Sequence, residues 1–215
     1  MLPGLEQLGQ VHFADLNQGN SIEDMAARLL PTLPDKAIIV GFSLGGYVVR
    51  HLAWLACRQN KAIDGLVLLN TSARASTADE DNKNRQQIKL LEHYPYKGQT
   101  MTALRRALHP ERQDDAVMLA HLQAMSLALG KQVFLQQLSI ARADGHHELV
   151  EIACPSIVVA SRNDQMRSLA ESEKLAHGLP SARLHIIEDC GHMSPLEKAP
   201  DLIATLHDWL NQSAI

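Results

Sequence analysis

A serine becomes a nucleophile when an imidazole takes its proton and a carboxylate holds that imidazole, and this 215-residue sequence offers such a set. Ser43 lies in Gly41-Phe42-Ser43-Leu44-Gly45, directly after the apolar run Ala37-Ile38-Ile39-Val40 and directly before the helix-like stretch Gly46 to Arg58. That context puts the hydroxyl on a strand-to-helix turn, where it is exposed at the end of a sheet. So sharp a turn brings strand and helix together, and the glycines at 41 and 45 are expected where a Cβ would clash. The Leu44 backbone N–H stands beside Ser43 at the first turn of a helix, a position suited to a developing oxyanion.

The acid and the base come from farther along the chain. Asp164 follows the apolar run Ser156 to Ala160, and His192 follows the run Ala182 to Ile187, with a helix-like segment from Ser168 to His177 between them. A right-handed crossover makes those two strands parallel, so their following loops open onto the edge of the sheet that Ser43 also reaches. The chain order Ser, Asp, His suits this arrangement. In it His192 is the base, and Asp164 accepts the other ring N–H, fixing the tautomer and stabilising the imidazolium formed during reaction. Activity is then expected to fall on the acid side as the imidazole protonates. Asp189, nearer in sequence, is the weaker candidate acid because it ends the last strand.

Other candidates carry less chemistry. Of the eleven histidines, His51 lies on the helix after the elbow and His185 inside a strand, so both read as packing or surface groups. His146-His147-Glu148 lacks the i, i+4 spacing of a helical zinc pair, and no metal or cofactor is expected. Cys190, two residues before His192, reads as core. Asn70-Thr71-Ser72 follows a strand and reaches the same edge, with capping and turn roles expected. Arg74 reads as solvated. Phe42, beside the nucleophile, is the candidate to bound a substrate pocket.

The elements that must position these groups alternate. Strand-like runs at 11–14, 37–40, 65–69, 156–160 and 183–187 separate helical stretches, which predicts an α/β fold with a mostly parallel sheet covered by helices on both faces. Ser21-Ile22-Glu23-Asp24 resembles a capping box opening a helix that ends near Pro31. A closing helix over 195–210 keeps Leu202, Ile203, Leu206 and Leu210 near one face. Between 71 and 152 the pattern changes to charged helices with no strand, expected over 85–94, 101–108, 114–129 and 132–143. Met118, Leu122, Met125 and Phe134 in that stretch either pack it onto the core or line a pocket.

Taken together, GFSLGG at 41–46, SRND at 161–164 and DCGHMSPLE at 189–197 resemble the α/β-hydrolase fold family, and DLNQGNSIEDMAARLL and LVLLNTSAR around the elbow resemble its carboxylesterase-like branch. The resemblance implies a single domain over 1–215 with a helical cap inserted at about 71–152, and a serine hydrolase cleaving esters or related acyl compounds. Ser161 departs from the family's frequent glycine without disturbing Asp164. The family's second oxyanion donor sits on a loop after an early strand, often marked His-Gly, which would precede Val11-His12-Phe13-Ala14. Only ten residues stand there. Met1 to Leu5 reads as a remnant of that loop or as a simple turn, and the expectation is either a chain that continues upstream or an oxyanion hole short of one donor. Such a loss costs about 10²- to 10³-fold in turnover.

Composition bounds the rest. A 46% hydrophobic content furnishes one buried core, and a formal charge of −4 with dispersed basic residues points to neither nucleic acid nor an anionic membrane. No apolar run is long enough to cross a bilayer and no signal peptide is evident. Cys57, Cys154 and Cys190, widely spaced, suit reduced thiols and a cytoplasmic setting. The expected partner is a small-molecule acyl substrate; oligomeric state is left open. Beside ester hydrolysis stand carbon–carbon bond or lactone hydrolysis or perhydrolysis on the same three residues, and a weakly active or noncatalytic ligand-binding member.

Overall fold

A computed structural model describes residues 1–213. Four strands form its sheet: β1 (Ile38–Phe42), β2 (Gly65–Leu69), β3 (Ser156–Ser161) and β4 (Ala182–Ile187). They run parallel in the order β1-β2-β3-β4, with Val40 opposite Val67, Leu68 opposite Val158 and Val159 opposite His185. β2 and β3 are buried at every residue, as continuous apolar strands covered on both faces must be, whereas β1 and β4 alternate toward solvent at the edges.

The helices sort onto two faces. On one, α2 (Ile22–Leu29), α3 (Leu44–Arg58) and α8 (Leu169–Gly178) press Met25, Val48, Leu52 and Leu175 against Ile39, Leu66, Leu68 and Val158. On the other, the carboxyl-terminal pair α9 (Ser194–Glu197) and α10 (Ala199–Ser213) contributes Leu202, Leu206 and Trp209, which meet Val67, Leu69, Ile157 and Val159. Between β2 and β3 the chain forms α4 (Ala78–His93), α5 (Met101–Ala107), α6 (Ala116–Ser139) and the short α7 (His146–Leu149). Thr77 and Glu80 make a reciprocal capping box, which starts α4 seven residues before the predicted Arg85. Gly130, at φ 79 and ψ 161, interrupts α6 where the sequence predicts two helices. Leu122 and Phe134 are buried in packing, while Met125 is half exposed.

Three expectations fail. Val11–Ala14 forms no strand, and Phe13 is 80% exposed; alternating apolar residues make a strand only where a neighbour supplies the ladder. The first residues are neither turn nor loop remnant: Leu2–Leu8 is helix α1, with Pro3 in its first turn and Leu5 and Leu8 packed on the α10 face. The box at Ser21 is half made, because Ser21 Oγ accepts the Asp24 N–H but the Asp24 carboxylate accepts from Asn20 instead.

Candidate active site

β1 ends at Phe42 and α3 begins at Leu44, so the whole reversal rests on Ser43, held at φ 51 and ψ −114. A non-glycine residue there costs about 1–3 kcal/mol and persists only where its surroundings insist on it. They do: the Ser43 N–H donates to Leu69 O at 3.0 Å, and Ser43 O accepts from Gly46 N–H at 3.0 Å and from Thr71 Oγ1 at 2.7 Å. The close approach falls on Gly41 and Gly46. A Cβ on Gly41 would overlap Val49 and the backbone of Gly45 and Gly46, and one on Gly46 would overlap Thr71, whereas at Gly45 the nearest neighbour is Leu16 at 3.8 Å. The turn therefore needs glycine at 41 and 46 rather than at 41 and 45. Ser43 caps no helical N–H, which leaves its hydroxyl free, and Leu44 opens α3 with its own N–H at the positive end of the helix.

The three predicted loops converge on that hydroxyl. Ser43 Oγ lies 2.9 Å from His192 Nε2, and His192 Nδ1 lies 2.8 Å from Asp164 Oδ2. A carboxylate only accepts, so Nδ1 carries the proton and Nε2 is left as acceptor for the serine hydroxyl. Both side chains are buried, at 4% exposure for His192 and 2% for Asp164. Burial alone would raise the Asp164 carboxyl, but bonds from His192, Asn70 and the Arg167 N–H outweigh it and hold the group below the usual aspartate range. The ring of Phe42 lies 5.1 Å from the imidazole, tilted by 42°. Asp189, the other candidate acid, is exposed, and its carbonyl accepts from Arg112.

Residues that sequence reasoning passed over hold this assembly. Glu197 is a fully buried carboxylate that accepts the Gly191 N–H at 3.0 Å, the His109 N–H at 2.8 Å and Arg112 Nε at 3.0 Å. With the Met193 N–H on Ala107 O at 3.1 Å, it ties the loop bearing His192 to the stretch between α5 and α6. His109 and Arg112 lie 88 and 85 residues away in sequence, and no local signal announces them. Arg74 is not solvated: it chelates Glu80 with both terminal nitrogens at 2.8 Å and reaches Glu171 through Nε, while Arg142 and Arg167 also approach Glu80. Arg74 foremost, with the Thr77 N–H and Arg142, holds the Glu80 carboxyl well below its ordinary range. Burial pushes the Cys190 thiol up to about 11, which suits packing rather than nucleophilic chemistry. Glu148 of the His-His-Glu run turns inward to Arg50 and His51.

The sheet, the elbow and the polar chain at its edge can be set beside known proteins. A family model described as the alpha/beta hydrolase family matches residues 2–206. The chain belongs to the alpha/beta hydrolase family. Among its relatives, a pimeloyl-[acyl-carrier protein] methyl ester esterase of Aromatoleum aromaticum is 30% identical over 89% of this chain and 80% of its own length. A 2-hydroxy-6-oxononadienedioate/2-hydroxy-6-oxononatrienedioate hydrolase of Paraburkholderia phymatum is 27% identical over 89% of this chain and 70% of its own. In three dimensions a thermophilic esterase from Thermogutta terrifontis superposes with a TM-score of 0.77 at 22% identity, over 90% of this chain and 73% of that one. The protein is thus a hydrolase, and the names of its relatives include an esterase and a dienedioate hydrolase. Among the described residues no helix of this alpha/beta hydrolase is long and apolar enough to cross a membrane.

Proposed function

We propose that this protein is a serine hydrolase that cleaves a small or medium acyl ester through an acyl-enzyme on Ser43. The observation that carries the reading is the unbroken relay from Ser43 Oγ to His192 Nε2 at 2.9 Å and from Nδ1 to Asp164 at 2.8 Å. As Oγ attacks the acyl carbon, its proton passes to Nε2 and the imidazolium is stabilised by the Asp164 carboxylate. The Leu44 N–H receives the oxyanion that forms on the former carbonyl oxygen. His192 then returns the proton to the departing alcohol, and water, activated by the same imidazole, releases the acid from Ser43. Phe42, packed on the imidazole ring, bounds the acyl pocket. The helices inserted at about 71–152 act as a cap over it. This chemistry draws on three side chains, one backbone N–H and water, in a cytoplasmic setting.

A second reading rests on the relatives: the same three groups serve carbon–carbon or lactone hydrolysis, and one relative's name is that of a dienedioate hydrolase. Turnover of p-nitrophenyl acetate and butyrate measured against a vinylogous diketone and a lactone separates the two. The acyl-ester reading itself is tested by mass spectrometry after fluorophosphonate treatment. A single adduct on Ser43, absent in Ser43→Ala, is the expected result, and an unlabelled Ser43 in folded protein overturns it.

A further inference from the structure

Asn70 follows β2 in sequence and is only 1% exposed, with its backbone at φ 46. Its N–H donates to Val159 O at 2.9 Å, which extends the sheet ladder by one rung and fixes where the side chain starts. The amide then uses everything it has. Nδ2 donates to Asp164 Oδ2 at 3.0 Å and to Ser161 Oγ at 2.9 Å, and Oδ1 accepts from Ser194 Oγ at 2.5 Å. Turned over, the amide would aim its oxygen at a carboxylate and its NH₂ away from it, so the network allows one orientation. Ser161 ends β3 three residues before Asp164, and Ser194 follows His192 by two residues. The next residue, Thr71, bonds Ser43 O. One dipeptide thus grips all three loops.

The Asp164 carboxylate shows why such a grip matters. Rotation about its last torsion is soft, and a carboxylate that turns moves away from the imidazole. Oδ1 is held by the N–H groups of Met166 and Arg167 at 2.7 and 2.9 Å. Oδ2 has two donors, His192 Nδ1 and Asn70 Nδ2. The Asn70 donor is neutral, so it fixes Oδ2 without setting a second cation against the imidazolium that forms opposite. A lysine there would compete with that imidazolium, and a hydroxyl, with one proton, could not donate to both Asp164 and Ser161.

We propose that Asn70 is a positioning residue for this reaction: its amide orients Asp164, and through Asp164 the His192 imidazole, while its carbonyl oxygen locks the base loop by way of Ser194. The inference rests on the acyl-enzyme reading, and the two fail differently. If folded wild-type protein is not labelled at Ser43 by fluorophosphonate, that reading fails whatever Asn70 does.

With labelling of the wild type in hand, the full chain is assayed for p-nitrophenyl acetate turnover and labelling rate, with thermal unfolding recorded for each variant. Asn70→Asp sets a carboxylate against Asp164 and lowers kcat on the order of a hundredfold with little change in KM. Asp164→Asn removes the acid and costs about 10⁴-fold. The exchange Asn70→Asp with Asp164→Asn restores one carboxylate and one amide to the same contact, and its kcat rises about tenfold or more above Asp164→Asn alone, a coupling that a residue serving the fold alone does not produce. Ser194→Ala, which adds no charge, lowers kcat about three- to tenfold at constant KM, because only the amide's anchor is lost. An exchange variant no better than Asp164→Asn overturns the proposal. So does Ser194→Ala at wild-type kcat, which decides the matter if the exchange variant does not fold.

Discussion

Two buried histidines in this molecule are nearly alike. His192 Nδ1 meets Asp164 at 2.8 Å and has Phe42 at 5.1 Å, and His51 Nδ1 meets Glu148 at 2.8 Å and has Trp54 at 5.1 Å. What separates them is the remaining bond of each pair. His192 offers Nε2 to a strained serine at the carboxyl edge of the sheet, whereas the carboxylate beside His51 is shared with Arg50, a permanent cation 3% exposed that also reaches Gly145 O at 2.9 Å. On the acyl-enzyme reading, a charge moves along the relay in one pair. In the other, the charge is already neutralised by a guanidinium that does not titrate. Imidazole against carboxylate is therefore a structural unit first, and its surroundings decide whether it does chemistry.

That contrast can be broken by mutation. His192→Ala is expected to lower p-nitrophenyl acetate turnover by about 10⁴-fold or more, since nucleophile and base act as one unit. His51→Gln leaves turnover within about threefold, because the ring touches no reacting atom. A His51 variant as inactive as the His192 one, yet fully folded by circular dichroism, would erase the distinction.

Carboxylate removal separates the pairs in the opposite sense. Glu148→Ala strands the Arg50 cation in the interior and lowers unfolding free energy by about 3–5 kcal/mol, read by urea titration. Asp164→Asn keeps its packing and its Asn70 neighbour and shifts stability by about 1 kcal/mol while abolishing most activity. Equal losses of stability would show that the two carboxylates carry the same kind of load.

Acid tests a third carboxylate, Glu80, against both. Arg74 and its companions hold the folded-state carboxyl below the 4.5 of an unperturbed glutamate, so the unfolded chain takes up a proton first as pH falls. The stability it contributes is complete above about pH 4.5 and drains away below that value as the folded group protonates. Glu80→Gln flattens that part of the stability–pH curve, measured by urea midpoints between pH 6 and 3, and costs about 1 kcal/mol at neutral pH. The smallest effect is expected at Phe42: Phe42→Leu keeps an apolar side chain over His192 and raises KM for p-nitrophenyl butyrate by about two- to fivefold. A changed kcat with constant KM would place Phe42 in the chemistry instead.

Much of the sheet was legible because its strands carry their own evidence. β2 runs over Gly65–Leu69 as the apolar run reads, and the crossover rule brings Ser43, Asp164 and His192 to one edge with no knowledge of contacts. What escaped belongs to pairs far apart in the chain. Asn70 reads as a turn residue until Asp164, 94 residues on, is placed beside it, and Glu197 is given no role by the sequence until His109 and Gly191 point at it. Val11–Ala14 failed for the same reason reversed, since its pattern promised a strand and no partner strand stands alongside. The glycine rule was right in kind and misplaced by one residue, because the crowding comes from Thr71, on the next strand's loop.

The anchoring of the base loop by Glu197 has a mechanical corollary. Its carboxylate grasps the Gly191 amide with one oxygen and the stretch after α5 with the other, through His109 and Arg112. Any displacement of that stretch therefore pulls, through the Glu197 carboxylate, on the loop that carries the imidazole. The His192 loop and the helical insert thus share several ties, with Glu197 and the Met193 N–H among them, so the placing of one constrains the other.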